Sequence, residues 1–341
     1  MRANVNFVCY GPDQIQNAYD ITPLLNAGIN GAGHTIVIVD AFSSPTINDD
    51  LKLFDQVFGL PDPPSFTQVT FPGAPAFDPN DANMVGWSAE ISLDVQWAHA
   101  IAPKANIVLV LAKTNNDSDI LDATRYAVNN NLGDVISMSF GEAESCVDTT
   151  LLKSQHDLFK QATKQHITLV ASSGDQGAAQ PSCDGSTYIL SASNPASDPY
   201  VLSTGGTNLY AGPYGCKDAG GVIITCPPAL NVAPGQYISE TAWNDGDPSV
   251  GFSGGGFSIL YKEPGYQHLV KTTFPKRRSV PDVGYNAGVS TGVIAFWGVP
   301  CGVGAAFRWG GTSASAPQWA GLTVLANQLA GKQLGFLNKT L

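Results

Sequence analysis

The residues of this chain best suited to covalent chemistry lie in the run Gly310-Gly311-Thr312-Ser313-Ala314-Ser315-Ala316-Pro317, which leads into an apolar helical stretch at roughly Ser315–Ala330. A glycine-rich turn entering a helix sets the Ser313 hydroxyl at the positive end of the helix dipole, with a backbone N–H nearby to receive an oxyanion. A plain N-cap uses the same residues, and Pro317 suits a first helical turn, where its missing N–H costs nothing. A serine nucleophile needs a base. His34 and His166 open strand-like runs, His99 and His156 sit in helical ones, and neither they nor His268 has a glycine-flanked HGT-type setting. They read as boundary or surface residues, which leaves the carboxylates.

Glu90 and Asp94, in WSAEISLDVQWAHA, are four residues apart and share one face of a predicted helix. A solvated helix face tolerates such a pair at a few tenths of a kcal/mol. The functional alternative has Asp94 sharing a proton with Glu90 and orienting it, while Glu90 takes the Ser313 proton. A carboxylate base with a reference pKa near 4.3 works in acid and is poorly matched to pH 7. Asp175, in Ser172-Ser173-Gly174-Asp175-Gln176-Gly177, follows a buried-strand pattern, where ligand sites of α/β sheets open. A protonated carboxyl there donates a hydrogen bond to an oxyanion; an ordinary Gly-Asp turn is the other reading.

These residues need a scaffold, and the chain supplies one. Near-continuous Val/Ile-rich runs at 34–42, 105–112, 134–140, 166–173 and 199–206 predict strands buried on both faces. Helical patterns at Gly86–Ala100, Asp119–Asn130 and Thr149–Gln165 lie between them. The alternation predicts an α/β fold, a mostly parallel central sheet with helices on both faces, in a single domain over 1–341. Residues 207–300 turn to Gly, Pro, Ser and aromatics in short strands and loops.

Of 341 residues only 17 are Lys or Arg and 28 Asp or Glu, a net charge of −11. A protein with so few cations gathers little charge in acid, and it lacks the clustered cations a nucleic-acid partner requires. No stretch of 18 apolar residues spans a membrane. The six cysteines form no CxxC pair; Cys216 and Cys226 flank a hairpin-like GCKDAGGVIITCPP, and Cys146 and Cys183 offer a second bridge, favouring an oxidising compartment. MRANVNFVCY has no signal-peptide pattern, so a leader is expected to have been removed or to lie outside this chain.

Taken together, GTSASAP, the ExxxD helix before APKANI, and SSGDQG resemble the sedolisins, or serine-carboxyl peptidases, acid endopeptidases built on the subtilisin fold. YGPDQIQNAY, NPASDPYVLSTGGT, SETAWN, SGGGFS, PGYQ and RRSVPDVGYNAG extend the resemblance from about Tyr10 to Gly335. It implies Ser313 as nucleophile, Glu90 as general base and acid, Asp94 as its partner, and Asp175 as the oxyanion-hole aspartate. It also implies a groove in which Ser139, Phe140 and Gly141 align an added substrate strand and Gly254, Gly255 and Gly256 face them. With Glu90 ionised and Asp175 protonated, the optimum is expected at about pH 3–5.

The same resemblance implies secretion, polypeptide substrates, an N-terminal pro-domain that is absent before Tyr10, and a monomer. It implies a calcium site too, whose ligands are expected beyond Leu341, so that no metal site lies in this chain. Three other readings stay open on sequence: a conventional subtilisin with a histidine base, an inactive relative that binds peptides, and Glu90 and Asp94 as metal ligands.

Overall fold

Each of the five apolar runs forms a strand: Thr35–Ala41, Asn106–Ala112, Val135–Met138, Thr168–Ser172 and Leu202–Ala211. The structure is a computed structural model that describes residues 8–213, 231–247, 250–269 and 276–341, with the backbone alone of 216–217 and 223–224. The large sheet runs in the order Tyr237–Ala242, Leu202–Ala211, Thr168–Ser172, Val135–Met138, Thr35–Ala41, Asn106–Ala112, Phe66–Thr70, and Val283–Asn286 also pairs with Leu202–Ala211. Every pairing in it is parallel except that of Tyr237–Ala242, so the mostly parallel sheet is as expected.

Both faces are covered, which is why the strands read as continuous apolar runs. Ile36, Ile38, Ile107 and Leu109 point to a core shared with helices Ile47–Phe58, Ala82–Ile101 and Thr312–Ala330. Their neighbours Val37, Val39, Val110 and Ile136 point the other way, under helices Asp117–Asn129 and Thr149–Lys164. Each such side chain contributes about 1.5–3 kcal/mol on full burial. Helices Ala82–Ile101 and Thr312–Ala330 pack on each other through Gly321, where a Cβ would stand 2.6 Å from Cβ of Ile101.

Two boundaries differ from expectation. The first helix of that pair starts at Ala82, where the Asp81 carboxylate caps the N–H groups of Asn83 and Met84. The second starts at Thr312 rather than near Ser315, so Pro317 sits in the second turn, not the first. A proline there removes one intrahelical donor, the one that would have met the Ser313 carbonyl. That carbonyl instead faces the Ser139 hydroxyl at 3.4 Å.

The Cys146–Cys183 bridge is formed. The Cys216–Cys226 bridge lies outside the described residues, although the backbone of Cys216–Lys217 pairs antiparallel with Ile223–Ile224 as a hairpin would. Among the described residues no helix is long and apolar enough to cross a membrane.

Candidate active site

The ends of three adjacent strands and the starts of two segments that follow them converge on one spot. Thr35–Ala41 carries Asp40 near its C-terminal end; Val135–Met138 runs on into Ser139, Phe140 and Gly141; Thr168–Ser172 runs on into Gly174 and Asp175. Helix Ala82–Ile101 brings Glu90 and Asp94, and helix Thr312–Ala330 brings Ser313 in its first turn.

Ser313 is partly exposed, and its Oγ donates a long hydrogen bond of 3.4 Å to the Ser139 carbonyl. The same hydroxyl is close enough to Glu90 to favour that residue's charged form. Asp175 is anchored by one oxygen: Oδ1 accepts from the Thr312 N–H at 2.7 Å and the Thr312 hydroxyl at 2.8 Å, while Thr312 Oγ1 accepts from the Gly174 N–H at 3.0 Å. Its other oxygen lies against Gly311, whose φ of +96° and 2.8 Å gap from a would-be Cβ to Oδ2 leave room for glycine alone.

Burial dominates the electrostatics. It pushes Glu90 up to about 7; the Ser313 hydroxyl works against that shift, and the Asp175 carboxylate adds to it. Asp94 is raised well above the carboxylate range by burial, then by Asp40 and Glu90. The Ser139 hydroxyl pulls Asp94 slightly the other way, without completing a hydrogen bond of ordinary geometry. Burial also raises Asp175 against the two Thr312 bonds. Sequence reasoning missed Asp40, which is fully buried and raised by burial and by Glu90. Its signal was an acid ending the otherwise apolar IVIVD run. Neither oxygen of Asp40 or of Asp94 has a hydrogen-bond partner, so protons held within the cluster are what make it tolerable.

Three of the five histidines are engaged elsewhere. His34 meets Asp134, and His156 meets Asp198 at 2.7 Å. His99 is not a boundary or surface residue: it is fully buried between Asp55 and the Pro61 carbonyl, because its helix is covered on almost every side.

Ser139–Gly141 separates two cavities. One, of about 270 Å³, holds Ser313 and Asp175 with Gly174 and Gln180; the other, of about 350 Å³, holds Glu90 with Gly86 and Trp87. Gly254 and Gly255 sit behind the first wall, their N–H groups bonded to the carbonyls of Gly174 at 2.6 Å and Gly177 at 3.0 Å. Gly174 and Asp175 line the Ser313 cavity together with Ser139–Gly141, and the lack of side chains at Gly254 and Gly255 serves close backbone packing. Among the described residues no three His, Cys, Asp or Glu side chains are grouped to hold a metal ion.

Comparison with known proteins bears on the family and the fold. The Subtilase family model matches residues 79–334. The chain is 30% identical to kumamolisin of Bacillus sp. (strain MN-32), over 97% of this chain and 54% of that protein. It is 27% identical to sedolisin of Pseudomonas sp. (strain 101), over 94% and 57%. The chain thus spans about half the length of these curated relatives. The solved structure of Pseudomonas sedolisin (serine-carboxyl proteinase) with two molecules of pseudo-iodotyrostatin superposes with a TM-score of 0.79 at 25% identity, over 98% of this chain and 84% of that one.

Proposed function

Because the chain belongs to the Subtilase family, in its sedolisin or serine-carboxyl branch, we propose that it is an acid serine endopeptidase acting through an acyl-enzyme on Ser313. The observation that carries this reading is the contact of the Ser313 hydroxyl with a buried carboxyl cluster, with no histidine at hand. In the first step the Ser313 proton passes to ionised Glu90 as Oγ bonds to the scissile carbonyl carbon. Charge builds on the carbonyl oxygen, and a protonated Asp175, held by Thr312, donates a hydrogen bond to it. Glu90 then gives its proton to the leaving amine as the C–N bond breaks. Water attacks the acyl-enzyme by the same route in reverse, returning the proton to Ser313.

Asp94 and Asp40 act behind Glu90. Their raised pKa values keep protons inside the cluster, so that Glu90 gains an ionised form without three adjacent charges. Extended polypeptide laid along Ser139–Gly141 is the substrate this arrangement supports, with the first side chain before the scissile bond entering the Ser313 cavity. The formed Cys146–Cys183 bridge supports secretion into an oxidising compartment. An intact Ser313, Glu90 and Asp175 set speaks against a mere peptide-binding module.

The test is to quench a reaction with a peptide ester at pH 4 and weigh the protein. An added acyl mass on the Ser313 peptide, absent in Ser313→Ala, is expected; acylation elsewhere, or none from a sample shown to be folded, would sink the reading.

A further inference from the structure

Asp175 is held from two sides, and both sides rest on a carboxylate that the chemistry above does not use. Asp245 lies just past strand Tyr237–Ala242. Its Oδ2 accepts from the Trp243 indole N–H at 2.8 Å, the Val289 N–H at 2.9 Å and the Ser290 N–H at 3.2 Å, and its Oδ1 accepts from the Ser290 hydroxyl. The three N–H groups can only donate, and an ionised carboxylate answers them with stronger bonds than a neutral acceptor would.

The first side runs through residues 287–290. Ala287 and Gly288 both donate their N–H to the Thr207 carbonyl at 2.9 Å, and the Ala287 carbonyl accepts from the Gly311 N–H at 2.7 Å. Gly310 lies so close that a Cβ on it would stand 2.7 Å from that carbonyl oxygen and 2.8 Å from Cα of Val289. This segment therefore seats Gly310–Gly311, and with it the Thr312 N–H and hydroxyl that grip Asp175 Oδ1. The second side runs through Trp243, which is buried. Its ring packs on Gly251 and Gly206, where added Cβ atoms would stand 2.7 Å and 2.9 Å from ring carbons. Beyond Gly251, the Phe252 N–H donates to the Asp175 main-chain carbonyl at 2.9 Å, and the Ser253 N–H to the Trp243 carbonyl at 3.0 Å. Asp245 bonds both segments at once.

We propose that Asp245 is a positioning residue for the oxyanion site: it clamps residues 287–290 to Trp243 and so fixes the Asp175 carboxyl where the substrate's carbonyl oxygen gathers charge. The assignment rests on the peptidase reading above. A preorganised donor works by holding still while charge develops, so a small displacement of this carboxyl weakens the transition state more than the bound substrate. Loss of the clamp should lower kcat and leave KM nearly unchanged. Asparagine can stand in for it: the amide oxygen accepts from the three N–H groups, and the amide nitrogen donates to the Ser290 hydroxyl, which turns to accept.

The experiment compares the unaltered protein with Asp245→Ala and Asp245→Asn at pH 4, using a peptide substrate, a peptide aldehyde and the matching peptide alcohol. Ser313 Oγ adds to the aldehyde carbon and sets its oxygen against Asp175, whereas the alcohol binds without adding. In Asp245→Ala, kcat is expected to fall about tenfold or more with KM within about twofold, and the aldehyde to bind about tenfold more weakly with the alcohol unchanged. Asp245→Asn should recover most of both losses. Aldehyde and alcohol weakened equally would mean a merely structural role, and no weakening of either would also overturn the proposal. An aldehyde that the unaltered protein binds no better than the alcohol would count against the peptidase reading instead, and amide hydrogen exchange then decides. At Gly311 and Thr312 exchange should quicken about tenfold or more in Asp245→Ala while strand Thr35–Ala41 keeps its protection; unchanged exchange at those two amides rejects the clamp. Should Asp245→Ala not fold, Trp243→Phe, which deletes the indole donor and keeps an aromatic ring, takes its place in both measurements. A loss of about threefold in aldehyde affinity or in protection then supports the proposal, and no loss in either rejects it.

Discussion

Arg278 and Asp94 are both ionisable residues with no exposed surface, and their surroundings differ in kind. Arg278 donates to both oxygens of Asp282 at 2.5 Å and to the Ser279 carbonyl at 2.7 Å, with the Tyr266 ring 5.7 Å beneath its guanidinium. Asp282 also receives the Ser203 N–H at 2.9 Å, Asn338 at 3.0 Å and Gln267 at 3.3 Å. Asp94 has no such company: no cation, and no completed hydrogen bond to either oxygen. One site answers a buried charge with an opposite charge and donors. The other leaves carboxyls to answer each other, which works only while they hold protons. The first arrangement stabilises the fold, whereas the second weakens it and is suited to moving a proton.

The largest expected effect separates the two regions by activity. Ser313→Ala should abolish peptide cleavage and Glu90→Gln should lower kcat on the order of 10³-fold or more. Both variants should unfold no more readily than the parent, whereas an Arg278 variant that still folds should keep its turnover per folded molecule. Next comes stability. Arg278→Ala strands Asp282 without its cation and should cost about 3–5 kcal/mol in urea unfolding at pH 5. An unchanged midpoint would break the comparison.

The carboxyl cluster should show the opposite sign. Asp40, Glu90, Asp94 and Asp175 all have raised pKa values in the folded protein, against about 4 in the unfolded chain. The native state therefore holds extra protons between about pH 4 and 7. Their contribution is fully present below about pH 4 and is lost as pH rises through the folded values, about 7 for Glu90. Thermal unfolding should show Tm falling on the order of 5–10 °C from pH 4 to pH 7.5. Asp94→Asn should flatten that slope and raise Tm at pH 7 while reducing turnover. A Tm that climbs across the interval contradicts the account of the cluster.

The smallest effect refines the paired region. Asn338 donates to the Val201 carbonyl at 2.9 Å and to Asp282 at 3.0 Å. Asn338→Ala should cost about 1–2 kcal/mol, a fraction of the Arg278 loss, because the ion pair survives it.

Much of this was legible in the residues themselves. The parallel sheet followed from apolar runs too continuous for a one-faced strand, and Glu90 and Asp94 fell on one helix face by spacing alone. What escaped was set by packing between distant segments. Asp40 is separated from Glu90 by 50 residues of chain, and only the crossing of its strand by the carboxylate helix joins them. The start of the Ser313 helix was misplaced because Pro317 reads as a first-turn residue until the Ser139 hydroxyl is seen facing the carbonyl that proline leaves bare. His99 reads as a surface residue until its helix is found buried on nearly all sides. Gly254–Gly256 carries no side chain to say which of two neighbouring walls it will pack against.

The most direct test of the central claim is the dependence of kcat/KM on pH from 2 to 8, for the unaltered protein and for Glu90→Gln. A bell-shaped profile with an acid optimum is predicted, its two limbs reporting the coupled titration of the Glu90 cluster and Asp175 rather than either residue alone, and Glu90→Gln should be nearly inactive throughout. A Ser313-dependent optimum at neutral or alkaline pH that Glu90→Gln leaves in place would contradict it.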